Sequence, residues 1–110
     1  MDTKALQKSS AEMIVLALLE DRARHGYEVA KLIESRSEGK LEFQVPSLYP
    51  MLYRMEAKGW VTGKWVEKPN ERRRRFYTIT PLGKRVLAMQ RQNLDEFLDA
   101  LRRVIQPHTV

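Results

Sequence analysis

Four consecutive arginines, Arg72, Arg73, Arg74 and Arg75, form the densest charge in the chain. Lys64 and Lys68 come shortly before them. Such a concentration of positive charge suits backbone phosphates or a narrow minor groove. On a strand, successive side chains point to opposite faces, so the four cannot all meet one phosphate strand. Charge on a strand edge also blocks sheet-to-sheet association, and that reading stands beside the first. Four in a row exceed what edge protection needs. A second set lies upstream, between Pro46 and Gly59. There Leu48, Leu52 and Met55 recur at helical spacing and define a buried stripe. Helical geometry then turns Ser47, Pro50, Tyr53, Arg54 and Lys58 outward, with Tyr49 at the boundary. Arginine can pair bidentately with guanine, while serine and tyrosine can bond to phosphate oxygens. An ordinary solvated helix face carries the same residue types, so this face alone leaves both readings open.

Little else in the sequence offers chemistry. There are two histidines, His25 and His108, and no Ser/His/Asp set, P-loop, HExxH or paired-histidine metal pattern. With no cysteine, disulfides, Cys-based zinc sites and thiol nucleophiles are excluded. Asp95, Glu96 and Asp99 read as the solvated face of an amphipathic helix. The expectation is no enzyme, no cofactor and no metal. Trp60 reads as core, and Trp65 either packs beneath the hairpin or faces outward; neither is assigned a ligand. The net charge of +6 across 110 residues permits a nucleic-acid partner. The 43% hydrophobic and 31% charged composition is that of a soluble globular domain. The longest apolar run, Met13–Leu19, is too short to span a bilayer, and no secretory leader pattern precedes it. A cytoplasmic, membrane-free location is expected.

The elements that position these residues follow from local signals. Residues 1–8 read as a loose arm. Ser9 and Glu12 fit a capping box that starts a first helix. The run Met13–Leu19 is apolar on every side, so that helix needs cover on two faces. Glu20–Arg24 reads as a charged turn. A second helix spans 26–37, with His25 able to cap it and Tyr27, Val29, Ala30 and Ile33 facing inward. Leu41–Val45 is a short strand or extended link. Ser47 is expected as N-cap of the third helix, with Pro50 in its first turn and Gly59 as the residue that ends it. Two β-like segments, 61–67 and 73–80, flank a turn at 68–71 and make a hairpin. Thr80 and Pro81 start a last helix that reaches about Ile105. Its apolar residues, Leu87, Leu94, Phe97, Leu98, Leu101, Val104 and Ile105, repeat at close to seven-residue spacing, as in helices that pack lengthwise. The fold class is mainly α with a small β-hairpin: a winged helix-turn-helix over 9–80, a long helix over 81–106 and a tail over 107–110. In that architecture the second helix of the helix-turn-helix enters the major groove of double-stranded DNA.

The chain resembles the PadR family of bacterial transcriptional regulators, in the short subfamily with a single C-terminal dimerisation helix. The resemblance rests on His25-Gly26-Tyr27-Glu28, on Ser47-Leu48-Tyr49-Pro50 followed by Arg54-Met55-Glu56 and Gly59, and on Arg74–Tyr77 with Thr80 and Gly83. Met55 stands where the family usually has leucine, a volume-conserving change. The resemblance implies a homodimer whose interface is formed by the first and last helices. Ile14 and Leu18, with the last-helix stripe from Leu87 to Ile105, are the expected interface residues. It also implies a regulator, usually a repressor, that leaves a pseudo-palindromic operator when an effector binds. Relatives that hold flat aromatic ligands between subunits use a tryptophan on the last helix, and this chain has none there. Met89 and Phe97 either line a smaller effector site or pack in the dimer. The effector is left unknown. The DNA-binding set is Ser47, Tyr49, Tyr53, Arg54, Lys58, Lys64 and Arg72–Arg75. A protein-interaction module built on the same winged helix is the alternative.

Overall fold

The computed structural model describes residues 4–108. Seven elements follow in order: α1 (Lys4–Leu18), β1 (Arg24–His25), α2 (Gly26–Arg36), α3 (Val45–Ala57), β2 (Val61–Val66), β3 (Arg74–Ile79) and α4 (Pro81–Ile105). The first three helices enclose a core of Val15, Leu16, Leu19, Val29, Ile33, Leu48, Leu52 and Met55. Val61 and Tyr77 close it from the sheet, and Leu87 from α4. The sheet is antiparallel with order β1-β3-β2. This is a winged helix-turn-helix with a long C-terminal helix.

The helix boundaries expected from capping held at three places. Thr80 Oγ1 accepts from the Gly83 N–H, with Pro81 in the first turn. Its hydroxyl also donates to the Gly59 carbonyl at 2.6 Å, tying the start of α4 to the end of α3. His25 Nδ1 accepts from the Glu28 N–H at 3.2 Å and caps α2. At the end of α3, Gly59 takes φ +80, a left-handed conformation that costs glycine nothing. The Trp60 N–H then reaches back to the Met55 carbonyl at 2.9 Å, and Gly59 N–H to Glu56 at 3.0 Å. This paired closure uses up the carbonyls that the helix end leaves over.

Other boundaries moved. Residues 4–8 belong to α1 rather than to a loose arm; residues 1–3 and 109–110 of the expected arm and tail lie outside the described residues. Ser9 is therefore inside α1, donating to the Leu6 carbonyl at 3.1 Å, and the capping box with Glu12 does not form. The third helix begins at Val45 with Gln44 as N-cap, so Ser47 is in the first turn and Pro50 lies within the helix. Pro46 at the start prepays part of that helix's backbone geometry. The link before α3 is extended but joins no strand. The supposed turn at 20–24 ends in β1, which pairs Arg24 with Tyr77 and His25 with Phe76. Arg24 is buried at 4% exposure, donating to the Leu18 carbonyl at 2.7 Å and pairing with Asp21 and Glu28. It satisfies the end of α1 while its own charge is neutralised on both sides. Tyr27, expected inside, is exposed, because the inward stripe of α2 is Gly26, Val29, Ala30 and Ile33.

Leu18 and Leu87 also change role. Both are buried within the single chain, so neither is available to a second subunit. Ile14 and Leu94 are half-buried, and Phe97, Leu101, Val104 and Ile105 are exposed.

Candidate nucleic-acid interface

The outer face of α3 carries Ser47, Pro50, Tyr53 and Arg54, all exposed. Arg54 takes part in no ion pair among the described residues, so its guanidinium is available to a partner. Tyr49 is half-buried, with its ring against the backbone of Gly26. Its ring lies 6.5 Å from that of Tyr53, one helical turn on. Lys58 is exposed but engaged: its ammonium sits 3.3 Å from Glu12 and 4.5 Å from the centre of the Trp60 ring. It lies at the far end of α3, on the side of α1.

The wing is the hairpin of β2 and β3. Its register places Trp65 opposite Arg75, Gly63 opposite Tyr77 and Val61 opposite Ile79, so these six share the inner face. Lys64 opposes Phe76 on the other face and is exposed. Asn70, at φ 62, turns the chain between the strands.

The four arginines part company here. Arg72 is exposed and has no ion pair or ring contact among the described residues. Arg73 lies over the exposed Trp65 ring at 4.5 Å and bonds Glu67 at 3.3 Å. Arg74 is half-buried, 3.3 Å from His25 Nδ1 and over the Tyr27 ring at 5.8 Å. Arg75 is half-buried and bonds Glu56 of α3 at 2.8 Å. Together with His25, Tyr27, Tyr49, Tyr53 and Trp65 they border one groove of about 640 Å3 between wing, α2 and α3. The expected residues thus divide in two. Tyr49, Tyr53 and the four arginines meet around the groove, while Ser47, Arg54, Lys58 and Lys64 lie outside it.

The charges of this region are tuned by packing. Burial holds His25 below its ordinary value of 6.5, and the adjacent Arg74 guanidinium adds to the shift. His25 is therefore neutral at neutral pH, as a capping acceptor must be. Burial raises the Tyr77 phenol. Burial works against the charge of Arg75, but hydrogen bonds to Glu56 and Tyr77 outweigh it and raise its pKa.

His25, Tyr27 and Trp65 were not among the expected binding residues, yet they wall the groove. A signal for Tyr27 was present: it lies off the stripe of α2. Trp65 shares a strand parity with Val61, yet it is exposed and faces the groove rather than the core.

The family described as transcriptional regulator PadR-like matches residues 15–89. The chain belongs to that family. It is accordingly a transcriptional regulator of the DNA-binding kind and not an enzyme. A PadR-like fold also recurs among solved structures. A transcriptional regulator from Clostridium thermocellum superposes with a TM-score of 0.84 at 22% identity, covering 93% of this chain and 99% of that one. A PadR family regulator from Eggerthella lenta gives 0.82 at 23% identity, over 96% and 90% of the two chains. Bacillus subtilis PadR, in complex with operator DNA, gives 0.67 at 17% identity, over 91% of this chain and 50% of that one. An uncharacterised protein of Lysinibacillus sphaericus is 29% identical over 77 residues, 70% of this chain and 71% of that one. Among the described residues no helix is long and apolar enough to cross a membrane.

Proposed function

We propose that this PadR-family chain is a cytoplasmic repressor that binds a pseudo-palindromic operator as a homodimer. The observation that carries the reading is the unpaired Arg54, displayed with Ser47 and Tyr53 on the exposed face of α3, beside an arginine-bearing wing. In this reading α3 lies in the major groove and Arg54 addresses a base edge. Arg72, Arg73 and Lys64 on the wing meet phosphates and add affinity without sequence choice. That Bacillus subtilis PadR, a structural neighbour, is found in complex with operator DNA supports a DNA partner.

Dimerisation is supported by the apolar side chains that α4 leaves in solvent, Phe97, Leu101, Val104 and Ile105. Leu94, Phe97, Leu98 and Leu101 also border a groove against α1 near Leu6 and Met13. A second copy of α4 fits that apolar surface. Two reading helices in successive major grooves would stand roughly 34 Å apart. An effector that enters this groove would compete with subunit packing and release DNA.

The test is operator binding as a function of salt, with the operator recovered by selecting random duplexes on the purified protein. Affinity should fall steeply with salt, and Arg72→Ala should reduce the slope by about one unit. Arg54→Ala should lower specific binding roughly ten- to hundredfold while leaving non-specific binding intact. Equal loss on both kinds of DNA would make Arg54 a phosphate contact. Salt-independent or absent binding refutes the reading.

A further inference from the structure

We propose that Glu56 and Arg75 are a positioning pair that fixes the wing on the reading helix, and that Arg75 is thereby withheld from phosphate. The proposal rests on the DNA-binding reading for its consequence, and on the geometry of the free chain for its existence.

Glu56 projects from the last turn of α3, two residues after Arg54. One of its oxygens, Oε2, accepts two hydrogen bonds from the wing. Arg75 Nη2 donates at 2.8 Å from β3, and the Gly63 backbone N–H donates at 3.1 Å from β2. A single carboxylate oxygen thus ties both strands to the helix. Bonds that involve an ionised partner are shorter and roughly twice as strong as neutral ones. The pair is well placed to keep that strength, with side-chain exposures of 21% and 30%.

Arg75 is held on its other side as well. Nη1 donates to the buried Tyr77 hydroxyl at 3.4 Å, and the guanidinium lies 5.3 Å from the Tyr77 ring and 5.9 Å from that of Tyr53. To reach Glu56 the side chain crosses directly over Gly63. A Cβ at residue 63 would stand 2.6 Å from the guanidinium carbon. The absence of a side chain on β2 therefore makes the path of Arg75 possible. An arginine meant for phosphate has no need of an acid, a phenol and a glycine arranged around it. Arg72 and Arg73 lack this enclosure and are both exposed.

The mechanical consequence is specific. With the pair closed, wing and α3 present one rigid surface, so Arg54 meets its base only when the wing meets its phosphates. With the pair open, the wing grips DNA in many poses. Loss of the pair therefore lowers the preference for operator over random DNA without removing a phosphate contact.

Two measurements test this. The first uses the chain without DNA. Amide hydrogen exchange at Gly63 should quicken roughly tenfold in Glu56→Ala. Exchange at core amides such as that of Leu52 should stay slow, which shows the fold is retained. Unchanged exchange at Gly63 overturns the proposal. The second uses salt titrations on operator and random duplexes. Arg75→Gln and Arg75→Lys should each keep the wild-type salt slope and lower operator preference roughly tenfold. Glu56→Ala added to Arg75→Gln should lower it no further, because the two act as one unit. A slope lower by about one unit in Arg75→Gln would identify Arg75 as a phosphate contact and overturn the proposal. If the wild-type chain binds no DNA, the regulator reading fails, while the exchange measurement still decides whether the pair holds the wing.

Discussion

His25 joins two tasks in one ring. Its Nδ1 caps α2, and the same ring meets Arg74 of the wing and stands perpendicular to the Phe76 ring, centroids 5.1 Å apart. Burial and Arg74 lower its pKa below 6.5, so the unfolded chain takes up the proton more readily than the folded one. The resulting stability is complete above the unfolded value and is lost as pH falls through the lowered folded value. A protonated Nδ1 also stops accepting from Glu28. Between about pH 7 and about pH 5 the thermal midpoint should therefore fall more steeply in wild type than in His25→Asn, which keeps a cap acceptor. Parallel decline in the two proteins would assign the acid sensitivity elsewhere. Gly83 makes a second prediction at this scale. A Cβ there would lie 2.1 Å from the Trp60 carbonyl oxygen and 2.8 Å from Ile79. Backbone cannot yield as a side chain end can. Gly83→Ala should cost about 3 kcal/mol in a urea melt, at the upper end of overpacking effects. A loss within about 0.5 kcal/mol, as for an ordinary surface change, would show that α4 shifts to make room.

At the scale of elements, α4 is two helices in function. Its first half belongs to the domain: Leu87 is fully buried, and Arg91 reaches the turn after α1, bonding both Glu20 oxygens at 2.9 and 3.0 Å. Its second half leaves the body, and from residue 99 every described residue is exposed. Leu87→Ala should therefore cost about 2–5 kcal/mol through a cavity in the core. Arg91→Ala should cost less than about 1 kcal/mol, because that ion pair is half in solvent. Chemical denaturation of the two variants separates packing from surface charge. If Arg91→Ala proved the more damaging, the electrostatic tie rather than Leu87 would be what seats α4. The wing shows the same division of labour. Tyr77 and Ile79 anchor β3 in the core, and the arginines at its other end border the groove or bond α3.

The whole molecule is elongated, 67 × 29 × 21 Å, because α4 extends past the body that bears it. Twenty-five residues of helix make about 37 Å. An isolated chain gains nothing from holding Phe97, Leu101, Val104 and Ile105 in water. In the proposed homodimer, a second copy covers them and supplies the second reading helix. Leu101→Asp combined with Val104→Asp should thus give a monomer by light scattering. The variant should retain the helical signal of the wild type and lose operator affinity at least about 100-fold, as expected when one half-site is read alone. A dimer that survives both substitutions would refute α4 as the interface.

Local signals sufficed for much of this. The buried stripe Leu48, Leu52 and Met55, the Gly59 terminator, and the Thr80–Pro81 start depend only on neighbours in the chain, and each was legible in the sequence. Order and type of the elements followed, and with them the winged helix-turn-helix. What sequence could not decide were contacts between segments far apart. Arg24 reads as one charge in a polar turn until the end of α1 and Glu28 fold around it. Ser9 reads as a cap until α1 proves to start earlier. Leu87 reads as one more residue of an apolar stripe, although the body of the domain reaches far enough along α4 to bury it. The arginine run is the sharpest case. Its four members are identical in type and adjacent in the chain, and strand alternation alone says only that they divide. Which of them is held and which is available was decided in space: by Glu56 nineteen residues away, by the bare backbone of Gly63, and by the Tyr77 hydroxyl beneath. Ion pairs and ring contacts depend on distance in space, which only the packed chain sets.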